Sequence, residues 1–397
     1  MKDRPDEREH RTIYPALDTM RAVASIAVVA THVAFWAGFY PEGTLGALTA
    51  RLDFGVAVFF VLSGFLLGKP YLLALARHTP MPGTGRYFWH RALRILPVYW
   101  VSVVAALTLL PENDGAGPAT WIESLTLTRL YTEDGLTPGL TQMWSLSTEV
   151  AFYLLLPAGM AVLARTICRH RWRPVLLVVV LAAVSVLSWL WVGLSATSLF
   201  GDLPSPGQWL PAYLSWFGVG LAFAIAAIEQ SALVRRLATA PWSAWLAAAA
   251  LLLIASTPIA GPVLLEPPSP AEAVAKNVLY ALAAALLILP AIFAAPSTTF
   301  QRALSLPALR HLGFISYSLF CCHLVVLHLV FAWRDYEVFA APGLEIFVLT
   351  LVISLLVSEV LYRVVELPTM RLRNLGRRTA PPATAEVSSP SEATTSS

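Results

Sequence analysis

An arginine and a histidine lie on one face of the first apolar segment of this sequence. Arg21 and His32 are eleven residues apart, which on a helix brings them to within about 20° of each other and about 16 Å apart along the axis. A neutral imidazole can take up and return a proton near neutral pH, as activation of a hydroxyl group requires. Because ionisable side chains are costly in apolar segments, we favour a chemical role for His32 over a hydrogen bond that serves packing alone.

Two further arginines, Arg91 and Arg94, are three residues apart at the start of the third apolar segment. On a helix such side chains lie on one face, and two guanidinium groups can hold a phosphate through paired hydrogen bonds. Arginines that only anchor the end of a membrane helix at the polar surface have the same spacing. The spacing alone leaves both interpretations open.

Hydroxyl groups and a carboxylate begin the fourth apolar segment, at Ser145, Ser147 and Glu149. Ser145 and Glu149 share a helix face. The carboxylate could orient an imidazole, hold an acceptor hydroxyl group or lock helices together, so a catalytic and a structural role stay open. His323, which follows a polar stretch of the ninth segment, is a further candidate. Glu366 is expected to be an exposed ion-pair partner.

The elements that position these residues must be membrane-spanning helices. The chain of 397 residues is 57% hydrophobic and 13% charged, whereas about a quarter of the residues of a soluble domain are charged. Ten apolar stretches are long enough to cross a hydrocarbon core about 30 Å thick. We therefore predict an all-α polytopic bundle, with spans at roughly 19–38, 54–76, 93–111, 143–164, 174–195, 209–228, 242–260, 277–295, 312–332 and 343–363.

The basic residues predict the orientation of this bundle. Alternate connections on one side hold 22 of the 27 Lys and Arg residues, and those on the other side hold four. Because cytoplasmic connections carry the excess, both termini are predicted to be cytoplasmic. The net charge of +3 then needs no nucleic-acid partner. The long external connection at about 112–142 is expected to be an irregular cap.

The chain divides into three predicted parts. Residues 1–16 form a cytoplasmic segment, 17–373 the membrane domain, and 374–397 a cytoplasmic tail whose Ala, Pro, Ser, Thr and Glu residues cannot bury a core and leave it disordered. The first span is expected to stay as a signal anchor, because no A-x-A-like cleavage site follows it. The three cysteines lack metal-ligand spacing, so neither a metal site nor a permanently bound cofactor is predicted.

Six short motifs in this order resemble those of the acyltransferase-3 family of membrane-bound acyltransferases, from about Tyr14 to Pro368. In the ninth-span motif Cys322 stands where a Trp is common, which leaves a special role for His323 open. The motifs are Leu17 to Arg21 with His32, Phe54 to Leu66, Arg91 to Trp100, Trp144 to Tyr153, Gly313 to Leu319, and Tyr362 to Pro368.

The resemblance implies an enzyme of the bacterial plasma membrane. It would transfer an acyl group, acetyl foremost, from acyl-CoA to a hydroxyl group of a sugar, glycolipid, glycan or glycosylated natural product. His32 would be the catalytic histidine, Arg21 part of the same Arg-x10-His signature, Arg91 and Arg94 contacts for the phosphates of coenzyme A, and Glu149 an active-site residue. Further side chains are expected to line the substrate site: Ser63, Ser145, Ser147, Tyr153 and His323.

Two alternatives accompany this expectation. Many members of the family carry an appended hydrolase-like domain for the final transfer, so an enzyme without one must complete the transfer itself or hand over to another protein. A different class of function is a membrane transporter, in which buried His, Arg and Glu side chains form a substrate or proton pathway. The two arginine signatures favour the enzyme.

Overall fold

The structure, a computed structural model, describes residues 14–264 and 266–374. The predicted cytoplasmic segment at 1–16 and the predicted tail at 374–397 therefore lie almost wholly outside the described residues. Within those residues the regular structure is entirely helical, as predicted. Ten helices form the bundle: α1 (Ala16–Trp36), α2 (Gly55–Ala76), α3 (Thr84–Leu109), α4 (Met143–Val162), α5 (Pro174–Ser195), α6 (Leu214–Ile228), α7 (Pro241–Ala255), α8 (Pro270–Phe293), α9 (Pro307–Arg334) and α10 (Gly343–Leu361).

Nine of the helices in the described part of the chain are long and apolar enough to cross a membrane. The exception is α7, whose 15 residues span only about 22 Å at 1.5 Å per residue. Helix α6 is equally short by itself but forms a span of 19 residues with the 3-10 turn Leu210–Tyr213 that precedes it. Helix α7 occupies the position of the seventh predicted span and is followed by a short 3-10 helix, Pro258–Ala260. The all-α membrane bundle is thus confirmed, while the cytoplasmic location of both termini stays a prediction.

Chain direction defines two ends of the bundle. The odd-numbered helices begin at the end where Arg91 and Arg94 lie near the start of α3, here called the arginine end. Arg310 at the start of α9 pairs with Asp18 at the start of α1 at 3.1 Å, as expected for neighbouring helices that begin at one end. At the opposite end, Arg51 donates to the carbonyl of Ala255 where α7 finishes.

Close helix contacts at two glycines fix the neighbours of α1 and α2. A Cβ atom on Gly313 of α9 would lie 2.0 Å from the carbonyl oxygen of Asp18 in α1, and one on Gly64 of α2 would lie 2.2 Å from that of Phe217 in α6. Small residues allow such close approach between helices in membranes. Gly64 follows Ser63, so the contact of α2 with α6 also sets the direction of that hydroxyl group.

The connection between α3 and α4 is more regular than predicted. It contains two short helices, Pro118–Thr126 and Arg129–Thr132. Asn113 ties it together by donating from its side-chain amide to the carbonyls of Ala106 and Pro138, at 2.8 and 3.1 Å. Apolar side chains of the segment pack on the bundle, and this burial orders a stretch that turn-forming residues had suggested was irregular.

Two helix boundaries differ from the prediction and bear on function. Helix α3 begins at Thr84, about nine residues earlier than predicted, so that both of its arginines lie well inside a regular helix. Helix α10 continues into a π-helical turn at Tyr362–Glu366 and a final α-helical turn at Leu367–Arg371. π-helical turns are frequent at functional sites, and this one ends at a buried carboxylate.

Candidate active site

A cavity of about 230 Å³ lies between α1, α2, α3, α4 and α9. It brings together the arginines, the carboxylate and several hydroxyl groups that were predicted from separate segments of the sequence. The predicted site residues that line it are Arg21, Ser63, Arg91, Arg94, Ser145, Glu149 and Tyr153.

Three guanidinium groups and one carboxylate make this cavity a site for an anion. Arg21 lies 3.6 Å from Asp18 on its own helix. The guanidinium of Arg91 lies 5.9 Å from the centre of the Tyr153 ring, and Arg91 and Arg21 both act electrostatically on Glu149. With all four groups ionised the side chains that line the cavity sum to +2, and the carboxylates of Asp18 and Glu366, which pair with Arg21 and Arg94 from outside the cavity lining, offset these two charges. Guanidinium groups in such a place can bind the phosphate oxygens of a ligand.

Arg94 forms an ion pair with Glu366, whose side chain is 0% exposed. The expectation that Glu366 is exposed is therefore wrong. The π-helical turn after α10 rotates its carboxylate inward, where Ser318 also donates to it at 3.1 Å. One side of the Arg94 guanidinium therefore contacts a buried carboxylate, whereas the guanidinium of Arg91 faces the cavity. The two arginines share a wall of the cavity but differ in their partners.

Glu149 accepts hydrogen bonds from two hydroxyl groups on the cavity wall. Ser63 of α2 donates to its Oε1 atom, and Tyr153, one turn later on α4, donates to the same oxygen at 2.7 Å. These contacts hold the carboxylate at the surface of the cavity. Among the described residues, no hydrogen bond joins Glu149 to His32, so the two proposed catalytic residues do not form a direct pair.

The two serines of the fourth span point in different directions. Ser145 lines the cavity, and its hydroxyl group donates to the carbonyl of Gln142. Ser147 is buried away from the cavity and donates to the carbonyl of Met143. Two residues on a helix turn the side chain by about 200°, so Ser147 does not line this cavity, and its place at the substrate site stays a prediction.

His32 and His323 form a hydrogen-bonded pair between α1 and α9. His32 Nδ1 and His323 Nε2 are 3.0 Å apart. The side chain of His323 is fully buried and does not line the cavity, so its place at the substrate site stays a prediction. Its contact with an imidazole could not be seen in the sequence, since the two residues are 291 positions apart.

The surroundings of His323 decide which nitrogen of each ring carries the proton. His323 Nδ1 lies 2.8 Å from the carbonyl oxygen of Phe320 and 3.1 Å from that of Leu319. Because carbonyl oxygens only accept, we assign the proton of His323 to Nδ1. Its Nε2 then accepts from His32 Nδ1, and the lone pair of His32 is left on Nε2, the arrangement that a general base needs.

A layer of phenyl rings closes the cavity on the side of the histidine pair. This phenyl layer consists of Phe59 and Phe320, which both line the cavity. The ring centres of Phe59 and Phe320 are 6.1 Å apart, and that of Phe320 is also 6.1 Å from His323. His32 does not itself line the cavity. It lies beyond this layer, farther from the arginine end than Arg21.

Sequence reasoning missed Tyr317 as a residue of the cavity wall and Glu366 as the buried partner of Arg94. Tyr317 donates to the carbonyl of Ile95 at 2.7 Å, and its ring centre lies 5.8 Å from the guanidinium of Arg94. Glu366 reaches the same arginine from the opposite side. Both residues lie in two of the six family-like motifs, and those motifs were the signal in the sequence that could have identified them. Within the described residues, no group of three His, Cys, Asp or Glu side chains is arranged to hold a metal ion.

Comparison with known proteins gives one family and several distant relatives. A family model described as an acyltransferase domain matches residues 14–363. The O-acetyltransferase OatA of Staphylococcus aureus is 25% identical over 377 residues, which cover 89% of this chain and 57% of that protein. The similarity therefore extends over nearly the whole membrane bundle.

Two further relatives match over shorter lengths. The peptidoglycan O-acetyltransferase OatA of Listeria monocytogenes is 28% identical over 203 residues, 47% of this chain and 29% of that protein. The acyltransferase MdmB of Streptomyces mycarofaciens is 31% identical over 170 residues, 40% of this chain and 42% of that protein. The matches thus span less than two thirds of each of these relatives. No solved structure matches the chain.

Proposed function

Because this chain belongs to the acyltransferase-3 family, we propose that it is a membrane-bound O-acyltransferase that moves an acetyl group from acetyl-CoA to a hydroxyl group of a sugar-containing acceptor. Membership makes it an enzyme that transfers acyl groups, and its apolar helices make it a multi-pass membrane protein. The transporter alternative lacks comparable support. The donor, the acceptor and the roles of individual residues are parts of the proposal.

The observation that carries the proposal is the cavity lined by Arg21, Arg91 and Arg94. Coenzyme A carries a diphosphate and a 3′-phosphate, and charge-assisted hydrogen bonds from guanidinium groups recognise such oxygens. Arg91 is the main candidate, since its guanidinium faces the cavity. Arg94, which pairs with Glu366, would hold a phosphate while this carboxylate fixes its orientation.

The direction of α1 supports a donor that extends from the arginines to the histidine pair. Arg21 lines the cavity, and His32 is about 16 Å farther along the same helix. A long, narrow pantetheine arm could bridge such a distance. Its thioester would pass the phenyl layer and reach His32 Nε2. Ser63, Ser145 and Tyr153 would line the path of the arm.

The chemistry assigned to His32 is general base catalysis. Its Nε2 atom takes the proton of the acceptor hydroxyl group while the hydroxyl oxygen attacks the thioester carbonyl carbon. The tetrahedral intermediate then collapses, the carbon–sulfur bond breaks, and the thiolate takes the proton back from His32 Nε2 and leaves as free coenzyme A. His323 holds His32 in the required tautomer through the bond to Nδ1.

A catalytic role for Glu149 stays a prediction, and its contacts support a place on the donor side. The carboxylate lies at the cavity with Ser63 and Tyr153 and near the charges of Arg21 and Arg91. It can accept a hydrogen bond from an amide N–H of the pantetheine arm. It also offsets part of the positive charge that the arginines place in an apolar bundle.

The proposal places the arginine end at the cytoplasm, where acyl-CoA is made. The basic residues support this orientation, because cytoplasmic connections of membrane proteins carry the excess of Lys and Arg. The relatives come from bacteria, so a bacterial plasma membrane is the proposed location. The acceptor would then be a glycan or a glycosylated small molecule, of which peptidoglycan, named for one relative, is one example.

Two measurements on detergent-solubilised protein test the proposal. Calorimetry should detect coenzyme A binding, and a thiol-release assay should show acetyl-CoA consumption that depends on an added hydroxyl acceptor. A protein that binds no coenzyme A and releases no thiol, yet moves a solute across vesicle membranes, would overturn the proposal in favour of transport.

A further inference from the structure

A second, larger cavity lies at the end of the bundle opposite the arginines. It measures about 510 Å³ and is bounded by the ends of α2, α4, α5, α6 and α8. None of the predicted site residues lines it. Six side chains give it its chemical character: Asp53, Trp144, Tyr213, Trp216, Lys276 and Tyr280.

Four aromatic rings form a continuous wall in this cavity. The ring centres of Trp144 and Tyr213 are 5.3 Å apart, those of Tyr213 and Trp216 are 4.7 Å apart, and those of Trp216 and Tyr280 are 6.1 Å apart. Trp216 and Tyr280 are buried and support the half-buried rings of Trp144 and Tyr213, which can contact a ligand in the cavity. Aromatic side chains favour ligands that offer one apolar face and polar edges.

Charged groups complete the cavity beside this wall. Lys276 donates to Asp53 at 2.8 Å, and the two side chains are still 34% and 38% exposed. Tyr280 donates its hydroxyl proton to the other oxygen of Asp53. The carboxylate, the ammonium group and the phenol therefore converge at one place, with hydrogen-bonding capacity left for a ligand.

This combination fits a sugar ring. The C–H groups on one face of a pyranose can lie on an aromatic ring, while its hydroxyl groups both donate to a carboxylate and accept from an ammonium group. An acyl-CoA would not fit as well, because the cavity offers one cation that is already paired with an acid. A lipid chain would offer no polar group to the Asp53–Lys276 ion pair.

The second cavity lies at the level of the proposed base along the bundle. Thr31, the residue before His32, donates to the carbonyl of Ala50 at 3.3 Å, so His32 lies at the level of the segment that leads to Asp53. On α4, Trp144 faces the second cavity while Ser145, the next residue, faces the first.

From this arrangement we propose that the second cavity is the acceptor site of the acyl transfer, and that it takes a sugar ring whose hydroxyl group points to His32. The proposal rests on the proposed function, which supplies the donor. Donor and acceptor then enter from opposite ends of the bundle and meet at the histidine pair. The aromatic wall positions the ring, and Asp53 with Lys276 selects for hydroxyl groups.

Steady-state kinetics with sugar acceptors test the proposal. The probes are soluble peptidoglycan oligosaccharides and methyl hexosides, with acetyl-CoA as the donor. Trp144→Leu and Lys276→Met should each raise the KM for the sugar about 10-fold or more, because each removes stacking surface or a charge-assisted hydrogen bond. The KM for acetyl-CoA should stay within about twofold, since the arginine cavity is untouched.

Arg129→Met provides the matched control. Arg129 also pairs with an acid near this end of the bundle, Glu123 at 2.9 Å, but it does not line the second cavity. Its variant should keep both KM values within about twofold. An unchanged sugar KM in Trp144→Leu and Lys276→Met, with folded protein in thermal melts, would overturn the acceptor site.

A labelling experiment tests the acceptor site even where the Trp144 and Lys276 variants fold poorly. Thr197 lines the cavity and is exposed, and the three native cysteines are buried. A bulky maleimide on Thr197→Cys should abolish transfer to the sugars and leave coenzyme A binding intact, and the sugars should slow the labelling. Ala119→Cys, exposed on the outer connection, should show neither effect.

The two proposals fail in different ways. Wild-type protein that neither binds coenzyme A nor releases thiol would contradict the proposed function itself. Wild-type protein that releases thiol with another hydroxyl acceptor, but acetylates none of the sugars and is not protected by them at Thr197→Cys, would contradict only the sugar site.

Discussion

His32 Nδ1 lies 3.0 Å from His323 Nε2, across the contact between α1 and α9. The two helices begin at the same end of the bundle and approach each other closely at Gly313 and Asp18. From there they lead to the histidine pair, beyond the arginine cavity. In the proposed mechanism, His32 as the base is thereby oriented by a second imidazole in place of a carboxylate. No charged partner then has to be buried with it.

Replacing His32 should separate chemistry from donor binding. His32→Ala removes the base and should lower turnover by about 10² to 10⁴, while the Kd for coenzyme A changes less than about twofold, because the arginine cavity is intact. Thiol release and calorimetry on the same preparation measure the two effects. Normal turnover in folded His32→Ala would remove the histidine from the mechanism.

Replacing His323 should affect turnover through the tautomer of His32. His323→Phe removes the acceptor for His32 Nδ1 and should lower kcat by about 10-fold or more, and His323→Gln, which offers an amide oxygen, should recover part of the loss. The pH profile of kcat should shift in His323→Phe, which a purely structural role would not produce. His328→Phe, at another buried histidine of α9, is the control and should keep the wild-type profile.

Arg91 offers the cleaner test of phosphate binding, because Arg94 also holds Glu366. Arg91→Gln removes a charge-assisted hydrogen bond and should raise the Kd for coenzyme A roughly 10- to 100-fold by calorimetry, with an unchanged melting temperature. Arg86→Gln changes an exposed arginine on the same helix and should bind like the wild type. Equal Kd values for the two variants would contradict the phosphate site.

Breaking the Arg94–Glu366 pair should destabilise the bundle. Glu366→Ala leaves a guanidinium with no partner beside the closing turn of α10, which typically costs about 3 to 5 kcal/mol. Glu345→Ala breaks an ion pair with Arg334 whose side chains are 40% and 41% exposed, and such pairs are worth about 0 to 1 kcal/mol. Thermal melts should therefore show a large shift only for Glu366→Ala. Similar shifts for both would contradict the buried pairing.

The orientation of the bundle is testable with single cysteines, because the native ones are buried. Arg77→Cys and Ser391→Cys should react with an impermeant maleimide only from the cytoplasmic side, and Gly117→Cys only from outside. The basic residues at the opposite end support this orientation: Arg129, Lys276 and Arg334 are in ion pairs, and Arg51 bonds to backbone carbonyls. Reversed labelling would contradict the predicted topology.

Much of this architecture follows from short-range physics and could be predicted from the sequence. Helix length and hydropathy fix the spans, and the 3.6-residue period places Arg21 and His32 on one stripe. The same period also predicts that Ser145 and Ser147 point in different directions, and only Ser145 lines the arginine cavity. Helix α7 was predicted as a full span because its apolar run continues past Ala255, where the helix ends.

The remaining features depend on contacts between distant parts of the chain. Glu366 looks like a surface residue beside Pro368, and only the π-helical turn directs it to Arg94, 272 positions earlier. The imidazole of His323 could equally face a cavity or a neighbouring helix. Its hydrogen bond with His32 depends on the approach of α9 to α1, which no periodicity within one helix can reveal.

The phenyl layer has a consequence for the energy metabolism of the cell. A bacterial plasma membrane stores a proton gradient, and each charge that crosses 100 mV releases about 2.3 kcal/mol, so a continuous water path through this protein would drain that store. Phe59 and Phe320 line the arginine cavity, and Phe320 also contacts the buried His323. Under the proposed mechanism, the neutral thioester end of the pantetheine arm passes these apolar rings while hydrated ions do not. The cell could then export acetyl groups continuously and keep its membrane electrically sealed.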